Sequence, residues 1–388
     1  MKNKISDMSM LKLLDAALWG KEAPDIQPDM WAQIWLELKN HAVAAIPIAF
    51  ARELNIDEES RKDWDDYCCQ ILAHSVLVSE TQKAVLDGFV SEKIGVVVLK
   101  GTAAACYYPE NAVRTMGDID LLVKQSDFDK GCELLKKLRF KEITSESEES
   151  RGRHRSFTRN RIVVELHRSF ALLSSQEKSK SFDKLLFSDI EIGRTTLSPA
   201  YNGLVLIEHV AQHLKGGIGL RQIIDWMMFV DRCVDDTYWE DTFQPLCQSV
   251  GLEQLALVTA RMCQLFLGLK EDAVTWCKQA DEEVCGKFMQ YIIESGNFGY
   301  MREIEKSNAI IEIPSVKHPI KLMRYIQEHG EKNWKLIKRY PVLKLFAWVY
   351  QCCRYLRMMI KNKFGLRKMK SSYYERLNRN ELFTKLGL

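Results

Sequence analysis

The sequence predicts an α+β protein, a mixed β-sheet with helices flanked on both sides by helical regions, and three observations carry that expectation. Residues 1–93 hold apolar stripes at helical spacing. Residues 94–172 change to short extended runs rich in β-branched residues, broken by glycine and polar turns. Helical spacing then returns over residues 198–388.

In the first region Leu11, Leu14 and Leu18 share a helix face, and Trp31, Ile34, Trp35 and Leu38 form a second stripe. Pro24, Pro28 and Pro47 separate these segments, and a longer amphipathic stretch from Glu58 to Phe89 leads into the central region. There, the continuous apolar run Ile94 to Leu99 reads as a strand covered on both faces. Lys100, Gly101 and Thr102 break it, and a helix is expected over Thr102 to Tyr108. Gly117 opens a second strand, Asp118-Ile119-Asp120-Leu121-Leu122-Val123, whose period of two puts both aspartates on one face. Ser126 is placed to cap a helix with Phe128, Cys132, Leu134, Leu135 and Leu138 on its apolar side. Another extended segment starts at Phe140, residues 144–150 read as an exposed loop, and His154 to Thr158 pairs with Ile162 to His167 as a hairpin around Arg159-Asn160-Arg161. Further on, Leu204 to Leu214, Ile218 to Val230 and Leu252 to Leu267 keep helical spacing, and Trp334 to Phe364 is a last long segment, aromatic and basic.

With 388 residues and 46% hydrophobic content, the chain can bury a sizeable core and shows no overall disorder signature. The N-terminus lacks a continuous apolar signal core, and the apolar runs are too short to span a bilayer, which predicts a cytoplasmic protein. Its eleven cysteines include no Cys-x-x-Cys and read as reduced core residues rather than a zinc ribbon or redox motif. The net charge of +3 conceals a basic segment, residues 317–370, with fifteen Lys and Arg against two acids. That segment suits first a packed helix with solvated charges, and alternatively peripheral contact with an anionic membrane surface, nucleic acid or another protein.

The chemistry-bearing pattern is a glycine turn beside a strand end, followed by Asp-x-Asp on the next strand. Hard oxygen donors suit Mg²⁺, with Mn²⁺ as the alternative, and the ion is commonly shared with substrate phosphates. Glu165, inside the apolar run Val163-Val164-Glu165-Leu166, is the candidate third carboxylate, since an unpartnered charge there would be costly. A cross-hairpin pair with Arg153 or Arg155 is the competing role. Lys100 is either a phosphate ligand or a strand-end lysine reaching solvent. Arg114 either neutralises phosphate charge or anchors its loop on Asp118 or Asp120. His167 lies on the same strand face as Glu165. His209 and His213, one helical turn apart, suit hydrogen bonding between domains or the lining of an acceptor pocket.

Leu99-Lys100-Gly101, Arg114 with Gly117 to Val123, and Val164-Glu165-Leu166-His167 together resemble the group of bacterial proteins classed as uncharacterised nucleotidyltransferases, within the DNA polymerase beta-like superfamily. Trp31, Trp35, His41, His209, His213, Leu220, Arg221 and Asp225 extend the likeness outward. The resemblance implies a nucleotidyltransferase core over 94–172, a packed N-terminal region over 1–93 and a C-terminal helical domain over 198–388. It also implies metal-dependent transfer of a nucleoside monophosphate from a nucleoside triphosphate to an acceptor: a small molecule, a glycan precursor, a protein or an RNA. Carried onto this sequence, Lys100, Gly101, Thr102 and Arg114 hold the triphosphate, while Asp118, Asp120 and Glu165 serve as metal ligands and catalytic groups. Thr102 departs from the superfamily's serine by a methyl group. A non-catalytic binding or regulatory protein that uses its basic helical region is the alternative.

Overall fold

The computed structural model describes residues 2–144, 152–173, 175–214, 216–296, 319–338, 340–361 and 378–388. Most of the loop expected at 144–150, and residues 317, 318, 339 and 362–370 of the basic segment, lie outside the described residues. Two compact units divide the chain: residues 1–301 with 382–388, and residues 302–381.

The first unit opens with helices α1 (Lys2–Trp19), α2 (Trp31–Asn40) and α3 (Glu58–Ser91). Asp57 caps α3 by accepting from the Ser60 backbone at 2.8 Å. Trp31 packs on Trp64 with ring centroids 4.9 Å apart, and the Trp64 indole donates to Ala44 O at 2.8 Å. The apolar stripes read from the sequence thus meet at the α2–α3 contact.

The sheet comprises β1 (Val96–Leu99), β2 (Ile119–Val123), β3 (Lys141–Glu142), β4 (His154–Arg159) and β5 (Ile162–His167). Its spatial order is β1-β2-β5-β4-β3. β2 and β5 are parallel, and every other pair is antiparallel, so the sheet is mixed as expected. Asn160 and Arg161 close the β4–β5 hairpin, both at positive φ (52° and 68°), a conformation whose twist suits the strands it joins.

One sheet face, with Val98, Ile119, Leu121, Phe157, Val164 and Leu166, buries against Val85 and Phe89 of α3 and Phe128 and Leu135 of α5 (Phe128–Lys137). Each such large side chain removed from water contributes about 2 kcal/mol. Gly131 lets α5 approach, since a Cβ there would lie 2.9 Å from Leu166 Cδ2. The opposite face is apolar only in part: Val97, Leu99 and Leu122 join a second core with the N-terminal helices, α6 (Gln176–Ser188), α7 (Pro199–Leu214) and α8 (Leu220–Cys233). Helices α9 (Gln244–Val250), α10 (Glu253–Leu267) and α11 (Glu282–Ser295) enlarge that core, and Leu382 and Leu386 close it.

Local expectations shift at three places. The helix expected over Thr102 to Tyr108 is α4, Gly101–Ala105, with Tyr107 and Tyr108 in the turn after it. Ser126 caps nothing; it lies inside a tight turn, Gln125–Asp127, that leads into α5. The segment Trp334 to Phe364 is interrupted, because Pro341 restricts Tyr340, which is non-helical at φ −131° and ψ 86°.

Within the second unit α12 (Pro319–Asn333) packs on α13 (Ala347–Lys361). Asn333 Nδ2 donates to Gln351 Oε1 at 3.1 Å, and the Trp334 and Tyr350 rings stack at 4.9 Å. A Cβ on Gly330 would lie 2.0 Å from Ala347 O, so only glycine permits this approach.

Candidate active site

β1 ends at Leu99, and the chain turns through Lys100 (φ 53°, ψ −147°) and Gly101 (φ 46°). Glycine adopts such geometry readily, whereas a side-chain-bearing residue is strained there by 1 kcal/mol or more, roughly. A methyl group at Gly101 would meet nothing closer than Asp118 O at 4.0 Å, so backbone conformation rather than space calls for glycine. Thr102 Oγ1 hydrogen-bonds Gln82 Oε1 of α3 at 2.9 Å, which ties α4 to α3.

Register brings the carboxylates together. Leu99 lies opposite Asp120 in the antiparallel pair, and Asp120 lies beside Glu165 in the parallel pair. Asp118, Asp120 and Glu165 consequently offer carboxylate oxygens all within 4.8 Å of one another, with Asp118 exposed, Glu165 half-buried and Asp120 buried. Their all-oxygen donor set fits a hard divalent cation.

Asp120 is held from two sides. Lys100 Nζ lies 3.0 Å from its Oδ2, and His167 Nε2 lies 3.0 Å from its Oδ1. Burial works against the Asp120 carboxylate, but Lys100 and His167 hold its pKa well below the usual range. Lys100 is itself raised: burial opposes its charge, and the Asp120, Asp118 and Glu165 carboxylates outweigh that. Asp118 is raised chiefly by the neighbouring Asp120 charge and then by burial. His167 is raised although burial disfavours its cation, because it hydrogen-bonds Asp120 and Glu165. Lys100 is therefore mostly buried rather than extended into solvent; its ammonium sits among the carboxylates and 5.8 Å from the Phe170 ring centroid.

Glu165 pairs with histidines. Its Oε2 lies 3.4 Å from His167 Nε2 and 3.9 Å from His154 Nε2, while Arg155 turns to Glu142 at 3.7 Å. Arg114 is committed away from Asp118 and Asp120. Its Nε and Nη2 donate to Asp225 Oδ1 and Oδ2 at 2.7 and 2.6 Å, and Tyr108 Oη donates to the same Asp225 Oδ1 at 2.7 Å. This buried fork pins the loop between α4 and β2 onto α8.

Side chains from α7 and α8, with Arg221 as the cation among them, complete the surroundings. Arg221 Nη1 donates to Thr115 O at 3.3 Å, while its buried Nε finds no hydrogen-bond partner among the described residues. Burial and the charge of Arg114 lower its pKa, and Asp118 and Asp225 oppose that. His209 and His213 pack edge to face at 4.6 Å, and both are pushed towards the neutral form by burial and by Lys100.

A family model described as uncharacterised nucleotidyltransferase matches residues 27–268, more than half of the chain. The chain belongs to this family. No curated protein and no solved structure matches it. The family's span contains the N-terminal tryptophan cluster, the whole sheet and helices α7 and α8, and stops short of the second unit. The sheet with its flanking helices is consistent with a nucleotidyltransferase-type fold.

Two features of the site were not singled out from the sequence. His154 carried no motif, yet it stands as far before the Asn160-Arg161 turn as His167 stands after it, and that symmetry makes them cross-strand partners. Asp225 as the counter-ion of Arg114 left no local signal, because 111 residues separate them.

Proposed function

We propose that this nucleotidyltransferase moves a nucleoside monophosphate from a nucleoside triphosphate to an acceptor hydroxyl or similar nucleophile, with Mg²⁺ or Mn²⁺ at Asp118, Asp120 and Glu165. The observation that supports this most is the convergence of those three carboxylates within 4.8 Å at a strand end beside the Lys100-Gly101 turn. When bound, a divalent cation there neutralises phosphate charge and favours the attacking alkoxide. The chain's own groups supply position. The Gly101 turn puts no side chain between its backbone and Asp118, Lys100 and Arg221 furnish positive charge, and His167 orients Asp120. In the reaction the acceptor oxygen bonds the α-phosphorus, pyrophosphate departs, and the acceptor's proton passes to the carboxylate cluster.

In this proposal Arg114 acts as a brace through Asp225, and Arg221 takes over the phosphate-facing role expected of it. Residues 94–172 form the catalytic core, within the DNA polymerase beta-like superfamily. Helices α7 and α8 of the first unit supply the acceptor side. No helix among the described residues is long and apolar enough to cross a membrane. Free cysteines and a need for nucleoside triphosphate suit the cytoplasm.

A non-catalytic binding role is favoured by one observation, the Lys100 ammonium seated on Asp120. The two are separated by thermal unfolding of the purified protein with each common nucleoside triphosphate, with and without Mg²⁺, followed by transfer of label to cell extract. Mg²⁺-dependent stabilisation that Asp118→Asn abolishes supports the enzyme. Absence of stabilisation by all four triphosphates would sink it.

A further inference from the structure

A second group of ligand-bearing side chains, chemically different, overlaps the carboxylate triad at Glu165. His154, Glu165 and His167 offer ligand atoms within 4.8 Å of one another. They share one sheet face, since Glu165 and His167 are two apart on β5 and His154 lies directly across from His167 on β4. The Glu165 Oε2 atom stands 3.9 Å from His154 Nε2 and 3.4 Å from His167 Nε2. Ligands of a four-coordinate ion at bond lengths near 2.1 Å lie roughly 3.4 Å apart, so small rotations of these side chains would close the site.

A further observation points the same way. His167 is only 3% exposed, yet its Nδ1 finds no hydrogen-bond partner among the described residues. A buried histidine held for packing alone ordinarily has its second nitrogen satisfied. With its proton on Nδ1, the ring presents to a metal the Nε2 lone pair, the atom that faces Glu165, in place of its contact with Asp120 Oδ1.

We propose that His154, Glu165 and His167 bind a first-row transition dication of the Zn²⁺ class, with Glu165 shared between this position and the carboxylate triad. Two imidazoles and one carboxylate favour borderline ions over Mg²⁺, which prefers oxygen donors in octahedral array. This position goes beyond the transfer reaction proposed above and stands whether or not the triad is catalytic. Shared ligation would make occupancy of one position sensitive to the other, because both draw on the Glu165 carboxylate.

The test uses full-length protein stripped of metal, titrated with Co²⁺ in excess Mg²⁺ and followed by visible ligand-field absorption, with Zn²⁺ competition to rank affinity. One equivalent of Co²⁺ is expected to bind with bands of nitrogen ligation, and Zn²⁺ to displace it. His154→Ala should weaken binding about 100-fold, and His154→Cys, which restores a soft ligand, should recover it. Asp118→Asn should keep the Co²⁺ spectrum while losing Mg²⁺-dependent stabilisation by nucleoside triphosphate, so the two positions fail separately. Displacement of Co²⁺ by excess Mg²⁺, or a folded His154→Ala protein with wild-type Co²⁺ affinity, would overturn the proposal.

Discussion

Lys100 Nζ lies 3.0 Å from Asp120 Oδ2, so the protein supplies its own counter-ion to the most buried of the three carboxylates. Lys100 holds this place from a backbone conformation, φ 53° and ψ −147°, that suits glycine better than lysine. Strain and ion pair are thus coupled at one residue. In the proposed reaction, substrate phosphate would give the ammonium a second partner and free Asp120 for a cation.

Lys100→Gly and Lys100→Ala separate strain from charge. Both variants leave Asp120 with His167 as its remaining close partner and should be destabilised. The glycine variant should be more stable than the alanine variant by about 1 kcal/mol, because only the latter retains the unfavourable φ. Urea unfolding measures the difference, and equal stabilities would show that the turn relaxes without strain.

Asp118→Asn should leave the metal-free protein as stable as wild type or up to about 1 kcal/mol more stable, since it removes repulsion with Asp120 at an exposed position. The same change should cut nucleotide transfer by about 100-fold or more. Paired thermal unfolding and transfer assays check both halves, and a strongly destabilised variant would contradict the first.

Asp225→Asn and Arg114→Lys each break a buried, forked ion pair and should cost about 3 to 5 kcal/mol. A phosphate role for Arg114 predicts something different, namely loss of nucleotide affinity in a protein of unchanged stability. Unfolding free energies beside nucleotide titrations tell these apart.

Glu208 gives a pH dependence. It is buried on α7, accepts from the Leu172 backbone at 2.6 Å and from the Gln212 side chain, and burial nonetheless pushes its pKa from 4.5 up to about 8. A raised carboxyl favours the folded state fully below pH 4.5, and that contribution is lost as pH rises towards 8. Glu208→Gln should remove this decline and leave the variant more stable than wild type at pH 8 by on the order of 2 kcal/mol. Chemical unfolding at pH 5 and pH 8 measures it, and a decline shared by both proteins would assign the effect elsewhere.

How much was legible follows the range of the forces involved. Period-two alternation placed Asp118 and Asp120 on one face, and the apolar run around Glu165 marked a strand, because both signals are local. Arg114 shows where locality ends. Its nearby carboxylates were the natural partners, but Asp225, reached only through the α7–α8 packing, won with two-pronged geometry. Thr102 likewise spends its hydroxyl on Gln82 of a preceding helix. The tight turn around Ser126 replaced a side-chain cap, and Pro341 overrode a continuous helical stripe.

The two-residue turn at Asn160 and Arg161 has a consequence for how errors in this molecule would behave. It counts β4 against β5, and the parallel pairing counts β5 against β2. A slip of one residue would turn Glu165 into the apolar layer beneath α5 and set Val164 or Leu166 beside Asp120. Misregistered copies would therefore lose the Glu165 carboxylate from the cluster at once, and with it, in the proposed reaction, all activity. Correct folding and chemical fidelity are enforced by the same count along the strands.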